Sequence, residues 1–123
     1  KTEAIYFSAH TDDEGIPLHA GCDYRIEGKD LDARWWSITV YGGDQFLIPN
    51  EQNRYAYNGK NVQRETDGSY IIHLSATPKE NNWLPSGNEK QLYILLRLYN
   101  PEPSVYETPG KIDLPRIIKE ECR

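Results

Sequence analysis

The sequence has no methionine, only two phenylalanines and only two cysteines in 123 residues. It also lacks any apolar run near the ~20 residues that a membrane-spanning helix requires. Its longest candidate, Leu92 to Leu98, is broken by Arg97. No window of eleven residues keeps the i, i+3, i+4 apolar stripe of an amphipathic helix. There is no Gly-x-Ser-x-Gly elbow and no glycine loop opening a helix, so neither an activated serine nor a phosphate cradle is signalled. No CxxC pair is present, whereas a structural zinc site needs about four closely spaced ligands. Fourteen basic against nineteen acidic residues give a net charge of -5. That balance argues against nucleic acid and anionic lipid as partners, since both select cationic surfaces. The charges are scattered, the pattern of a solvated surface. No secretory leader is visible. The chain starts at Lys1, without the usual methionine, so we expect that an upstream segment has been removed.

What is present is β-rich. The length suits a single domain over residues 1–123, able to bury roughly two-thirds of its unfolded surface without a metal. Turn residues recur about every ten positions, and between them lie short stretches of Val, Ile, Tyr, Trp and Thr. Strands are expected over 4–8, 22–26, 35–41, 45–48, 62–65, 70–76 and 91–99. In the clearest, Trp36, Ile38 and Val40 share one face and Trp35, Ser37, Thr39 and Tyr41 the other. Asp67-Gly68 supplies the positive backbone angles of a tight hairpin. Pro101, Pro103, Pro109 and Pro115 exclude a regular central strand beyond residue 100. Residues 116–122 fit a short strand or one helical turn. The fold class is all-β, an antiparallel sandwich with little helix.

Each candidate site has a plainer reading beside it. His10, Asp12 and Asp13, with His19 nearby, could face a divalent cation; Asp12-Asp13-Glu14-Gly15 is equally turn chemistry, in which Asp side chains cap backbone N–H groups. The plainer reading is preferred, and no metal or cofactor is assigned. A triad of Ser37, His73 and Asp67 can be drawn on paper, but no spacing supports it. Cys22 and Cys122 are either a disulfide or two unpaired thiols. A bond would close almost the whole chain and contribute about 4–5 kcal/mol in the chain-entropy model. It would also suit an exported protein.

Most rings carry a hydrogen-bonding group, with nine tyrosines and three tryptophans. Such rings suit half-wet positions at the ends of a core or on a ligand face. They gather in Trp35-Trp36-Ser37, Asn53-Arg54-Tyr55-Ala56-Tyr57 and Asn81-Asn82-Trp83-Leu84-Pro85, and Arg97-Leu98-Tyr99 adds a cation inside a strong strand. The order Trp-Ser-Ile-Thr-Val-Tyr (36–41), Asn-Arg-Tyr (53–55), Asp-Gly-Ser (67–69), Asn-Trp-Leu-Pro (82–85) and Arg-Leu-Tyr-Asn-Pro (97–101) resembles the domain-of-unknown-function family numbered 1214. That family often follows another domain, numbered 1254, in longer bacterial proteins. The resemblance covers about residues 4–118 and departs at Trp35, where many relatives carry phenylalanine. It implies a jelly-roll-like β-sandwich, a short stand-alone member and a place in the periplasm or cell envelope. It also implies a hydrophobic anchoring segment upstream of this chain, and it brings no established activity and no catalytic residues to map.

The reading is therefore a non-enzymatic envelope domain that binds a small molecule, glycan or protein partner. Asn53, Arg54, Tyr55, Asn82, Trp83, Arg97 and Tyr99 would supply the aromatic, Arg and Asn face. The alternative is a hydrolase or isomerase with a His/acid site in a sandwich cleft, built from His10, Asp12 or another acid. Arg97 lies in an expected central strand, where stranded hydrogen-bond partners are expensive. Arg97→Ala should therefore lower the melting temperature more than Lys60→Ala, as read by thermal unfolding; equal and negligible shifts would show Arg97 to be structurally uncommitted.

Overall fold

The structure is a computed structural model that describes residues 4–30, 33–44, 47–48, 56–88, 90–101 and 113–123. Every regular element among them is a strand: β1 (Ala4–Ala9), β2 (Cys22–Gly28), β3 (Ala33–Gly42), β4 (Ala56–Asn58), β5 (Tyr70–Ser75), β6 (Trp83–Pro85), β7 (Leu92–Pro101) and β8 (Arg116–Cys122). They form two four-stranded sheets, ordered β1-β7-β3-β4 and β6-β5-β2-β8. The chain changes sheet after β1, β2, β4, β6 and β7, which gives a jelly-roll-like sandwich rather than a closed barrel. Among the described pairings only β5 with β6 is parallel.

Alternation builds the core. The register lines up Ile5, Leu98 and Trp36 across the first sheet, then Phe7, Leu96, Ile38 and Tyr57, then Ala9, Ile94 and Val40. Facing them, the second sheet contributes the row Leu84, Leu74 and Tyr24 and the row Ile72, Ile26 and Ile117. These side chains form one apolar cluster, in which Leu98, Ile72, Leu74 and Leu84 are fully buried. Each buried Leu or Ile stabilises by roughly 1.5–3 kcal/mol relative to an exposed one. Between the sheets Trp36 stacks on Tyr70 at 4.8 Å, and its Nε1–H donates to Asp30. Burial, with the nearby Asp30 charge adding to it, pushes the Tyr70 hydroxyl far above its ordinary range.

Several expected elements change at their ends. Residues 62–65 are not a strand; a single bridge joins Arg64 to Tyr70, and the loop is held by backbone bonds from Val62 N to Asn58 O and Glu65 N to Ser69 O together with side-chain bonds of Asn82 and Arg64. The turn itself is as expected: Gly68 has φ +89°, and Asp67 accepts from Ser69 N and Oγ. Of residues 45–48, Leu47 makes one bridge to Tyr41 and residues 45–46 lie outside the described set. Residues 116–122 are strand β8. β4 and β6 were not expected, being three residues each and therefore without a readable period. Pro85 closes β6 at a sheet edge, where a missing N–H costs no ladder bond.

Cys22 and Cys122 lie opposite one another in the β2–β8 register and are joined by a disulfide. Beside it, Arg123 donates to the buried Asp23 and to Ala20 O at 2.7 Å. Ser75 Oγ–H donates to the same Asp23 oxygen as Arg123, and Lys79 pairs with the other at 3.3 Å. Burial alone would raise the Asp23 carboxyl, but bonds from Arg123, Ser75 and Lys79 outweigh it and hold the group below its ordinary 3.8. A carboxyl depressed in the folded state adds stability that is complete above its unfolded pKa and is lost as pH falls through the folded value. Acidification below about pH 4 should therefore lower the melting temperature of the wild type more steeply than that of Asp23→Asn. Parallel slopes in thermal scans across that range would refute the assignment.

Candidate functional site

A strand that buries one face must present the other. Along β7 the inward Leu92, Ile94, Leu96 and Leu98 leave Tyr93, Leu95, Arg97 and Tyr99 pointing out of the sandwich, all half-buried. β1 on one side adds Tyr6 and Ser8, and β3 on the other adds Trp35, Ser37 and Tyr41. Arg97 is directly between Tyr6 and Ser37, Tyr99 between Ala4 and Trp35, and Tyr93 opposite Tyr41. His10, just past β1, stacks on Tyr93 at 5.1 Å and 27°, and Tyr93 stacks on Tyr41 at 5.1 Å and 14°. The Arg97 guanidinium lies 5.9 Å from the centre of the Tyr6 ring and donates from Nη2 to Tyr41 Oη at 3.1 Å. Tyr6 is 59% exposed. The outcome is a continuous file of rings, His10, Tyr93 and Tyr41, joined through Arg97 to Tyr6 on the open face of the sheet. Among the described residues no carboxylate pairs with Arg97.

Arg97 and Tyr99 thus share one surface. Asn82 and Trp83 are elsewhere, inside the body of the protein. Asn81 takes the left-handed conformation at φ 65°, a strain Asn tolerates better than most residues, and the next side chain enters the core. Asn82 is 2% exposed. Its Oδ1 accepts from Gln63 N at 2.8 Å, and its Nδ2 donates to Gln63 O at 2.7 Å and to Ile71 O at 2.9 Å. Trp83 donates from its backbone N to Tyr57 Oη at 2.8 Å and from Nε1 to Ser75 O at 3.0 Å. Both residues tie β4 and the 59–65 loop to the second sheet. Asn53, Arg54 and Tyr55 lie outside the described residues.

The histidines and acids are dispersed. His10 belongs to the ring file, His19 abuts the disulfide, and His73 is on the outward side of β5 opposite Arg25. Asp12 Oδ1 accepts from Glu14 N and Ile16 N, and Asp13 accepts from Ile117 N and Arg116, so both serve their turn and its attachment to β8. Ser37, His73 and Asp67 belong to the first sheet, the second sheet and a hairpin tip respectively. Among the described residues no group of three or more His, Cys, Asp or Glu could hold a metal ion. An open cavity of about 580 Å³ near Glu27, Glu65, Asp67 and Asp113 is crossed by a Lys29–Asp113 ion pair at 3.2 Å.

The family model described as a protein of unknown function, DUF1214, matches residues 3–103. The chain belongs to this family. This DUF1214 chain is 28% identical to the VPA0106 protein of Vibrio parahaemolyticus, with a TM-score of 0.86 over 97% of its own length. It also superposes on an uncharacterised protein from Burkholderia cenocepacia, at 20% identity and a TM-score of 0.58 over 95% of its length. The second likeness is one of fold alone. The matched regions are 31% and 29% of those chains, so this chain spans less than a third of their length. No curated protein matches it.

Asn82→Ala would strand the Gln63 N–H and the Gln63 and Ile71 carbonyls in the interior, at a cost of about 2–4 kcal/mol. Urea unfolding should show that loss; a change below about 0.5 kcal/mol, typical of surface substitutions, would contradict the clamp.

Proposed function

We propose that this DUF1214 chain is a non-enzymatic binding domain of the cell envelope whose ligand is a glycan, held on the outer face of the β1-β7-β3-β4 sheet. The observation that carries this reading is the stacked file His10–Tyr93–Tyr41 with Arg97 beside it. Aromatic faces accept the C–H side of sugar rings, while Tyr, Ser and Arg groups at the ring edges meet hydroxyls. The N–H groups of Arg97 suit an anionic sugar, for which a guanidinium offers paired donors. A sheet surface is shallow, which favours an extended ligand over a small enclosed substrate. Rings with Arg also serve single-stranded nucleic acid, but the net charge of -5 opposes a polyanionic strand. A hydrolase or isomerase would need convergent titratable groups, and His10, His19 and His73 each have a different neighbour. The envelope location is supported by the disulfide, which persists in oxidising compartments.

Titration with neutral and uronic-acid-bearing oligosaccharides, followed by tryptophan fluorescence and calorimetry, tests the reading. Saturable binding is expected, and Arg97→Ala or Tyr93→Ala should weaken it at least about 10-fold, roughly the 1.4 kcal/mol of one stacking or charged contact. Lys60→Ala should leave it unchanged. Absence of binding across such a panel, or equal affinity in all three variants, would remove the proposal.

A further inference from the structure

The two halves of the Cys22–Cys122 bond sit in different surroundings. Cys22 is 2% exposed, whereas Cys122 is on the exposed end of β8. On the buried side His19 Nε2 stands 3.4 Å from Cys22 Sγ. The backbone fixes which ring nitrogen carries the proton. Gly21 N–H donates to His19 Nδ1 at 3.1 Å, so Nδ1 is the acceptor, and in the neutral ring the proton resides on Nε2, directed at the sulfur. The residue at 21 has to be glycine for this approach, because a Cβ there would be 2.8 Å from Nδ1. The backbone N–H of His19 in turn donates to Tyr24 Oη at 3.2 Å, holding the segment against β2. His19 and Gly21 border an open cavity of about 430 Å³ that also contains Lys90 and Arg123. Among the described residues the buried Cys22 therefore has a fixed N–H donor at its sulfur, and the exposed Cys122 has none.

We propose that this disulfide is a thiol-exchange site, attacked at Cys122 with Cys22 as the leaving group. An external thiolate approaches Cys122 Sγ from the exposed end of β8. A new S–S bond forms to Cys122 as the Cys22–Cys122 bond breaks, and the electron pair departs on Cys22 Sγ. The negative charge moves from the incoming sulfur to Cys22, where the His19 Nε2–H donates to it. The product is a mixed disulfide on Cys122 and a thiolate on Cys22; the reverse attack by Cys22 restores the starting bond and releases the thiol. Exchange is faster when the departing sulfur is the better-stabilised thiolate, and the hydrogen bond from His19 Nε2–H to Cys22 Sγ provides that stabilisation. Opening the bond leaves β8 in place through its pairing with β2 and the Arg123–Asp23 contact. The co-reactant is a thiol, either a small molecule or a cysteine of another protein. The site is on the sheet opposite the ring file and does not rest on the glycan reading.

The test uses the folded, oxidised chain with reduced glutathione as probe, quenched with iodoacetamide and mapped by peptide mass spectrometry. Glutathione on Cys122 and carbamidomethyl on Cys22 is the expected pattern. His19→Asn retains an acceptor for Gly21 N–H but is too short to replace the Nε2–H at the sulfur, and it should slow opening at least about 10-fold, a leaving-group effect. If His19→Asn does not fold, the attachment pattern of the wild type decides alone. Glutathione on Cys22, an even mixture of the two adducts, a wild-type rate in folded His19→Asn, or no opening until denaturant is added would each overturn the proposal.

Discussion

The burial of one side of β7 is the constraint from which the rest follows. Its Leu92, Ile94, Leu96 and Leu98 lie in the middle of the first sheet, flanked by β1 and β3, and close the core against the second sheet. A pleated strand cannot hide both faces with two-residue spacing. Committing these four side chains inward therefore commits Tyr93, Arg97 and Tyr99 outward, between the rings of two neighbouring strands. The ring file on the surface and the apolar cluster inside are two consequences of one register.

The connections are governed by a different requirement, satisfaction of backbone groups that no sheet partner reaches. Asn82 does this for Gln63 and Ile71, Asp12 for its own turn, and Asp13 for Ile117. These polar residues look in sequence like site chemistry, since a buried clamp and a ligand contact both call for short amide or carboxylate side chains. Here Asn82 and the two aspartates are consumed by the fold, while the surface that remains available is built from tyrosines, a histidine and one arginine.

At the chain's far end the same principle sets up an asymmetric bond. The disulfide joins the first residue of β2 to the last of β8, and Asp23 gathers Arg123, Ser75 and Lys79 beside it. One sulfur is packed against His19 and the other faces solvent, so the bond has two chemically distinct ends although its two atoms are identical.

Composition and alternation by themselves determined the all-β class, the main strands, the inward and outward faces of β3 and β7, and the Asp67-Gly68 turn, because these depend on neighbours two to four residues apart. The five ordered motifs were enough to indicate the DUF1214 resemblance. Only the tertiary structure decided that β1 lies beside β7, which brings Tyr6 and His10 to Arg97; that Asn82 and Trp83 turn inward; that Cys22 meets Cys122 next to His19; and that β6 adds in parallel. Those outcomes depend on contacts between residues far apart in the chain, and local periodicity carries no information about which strand becomes which strand's neighbour.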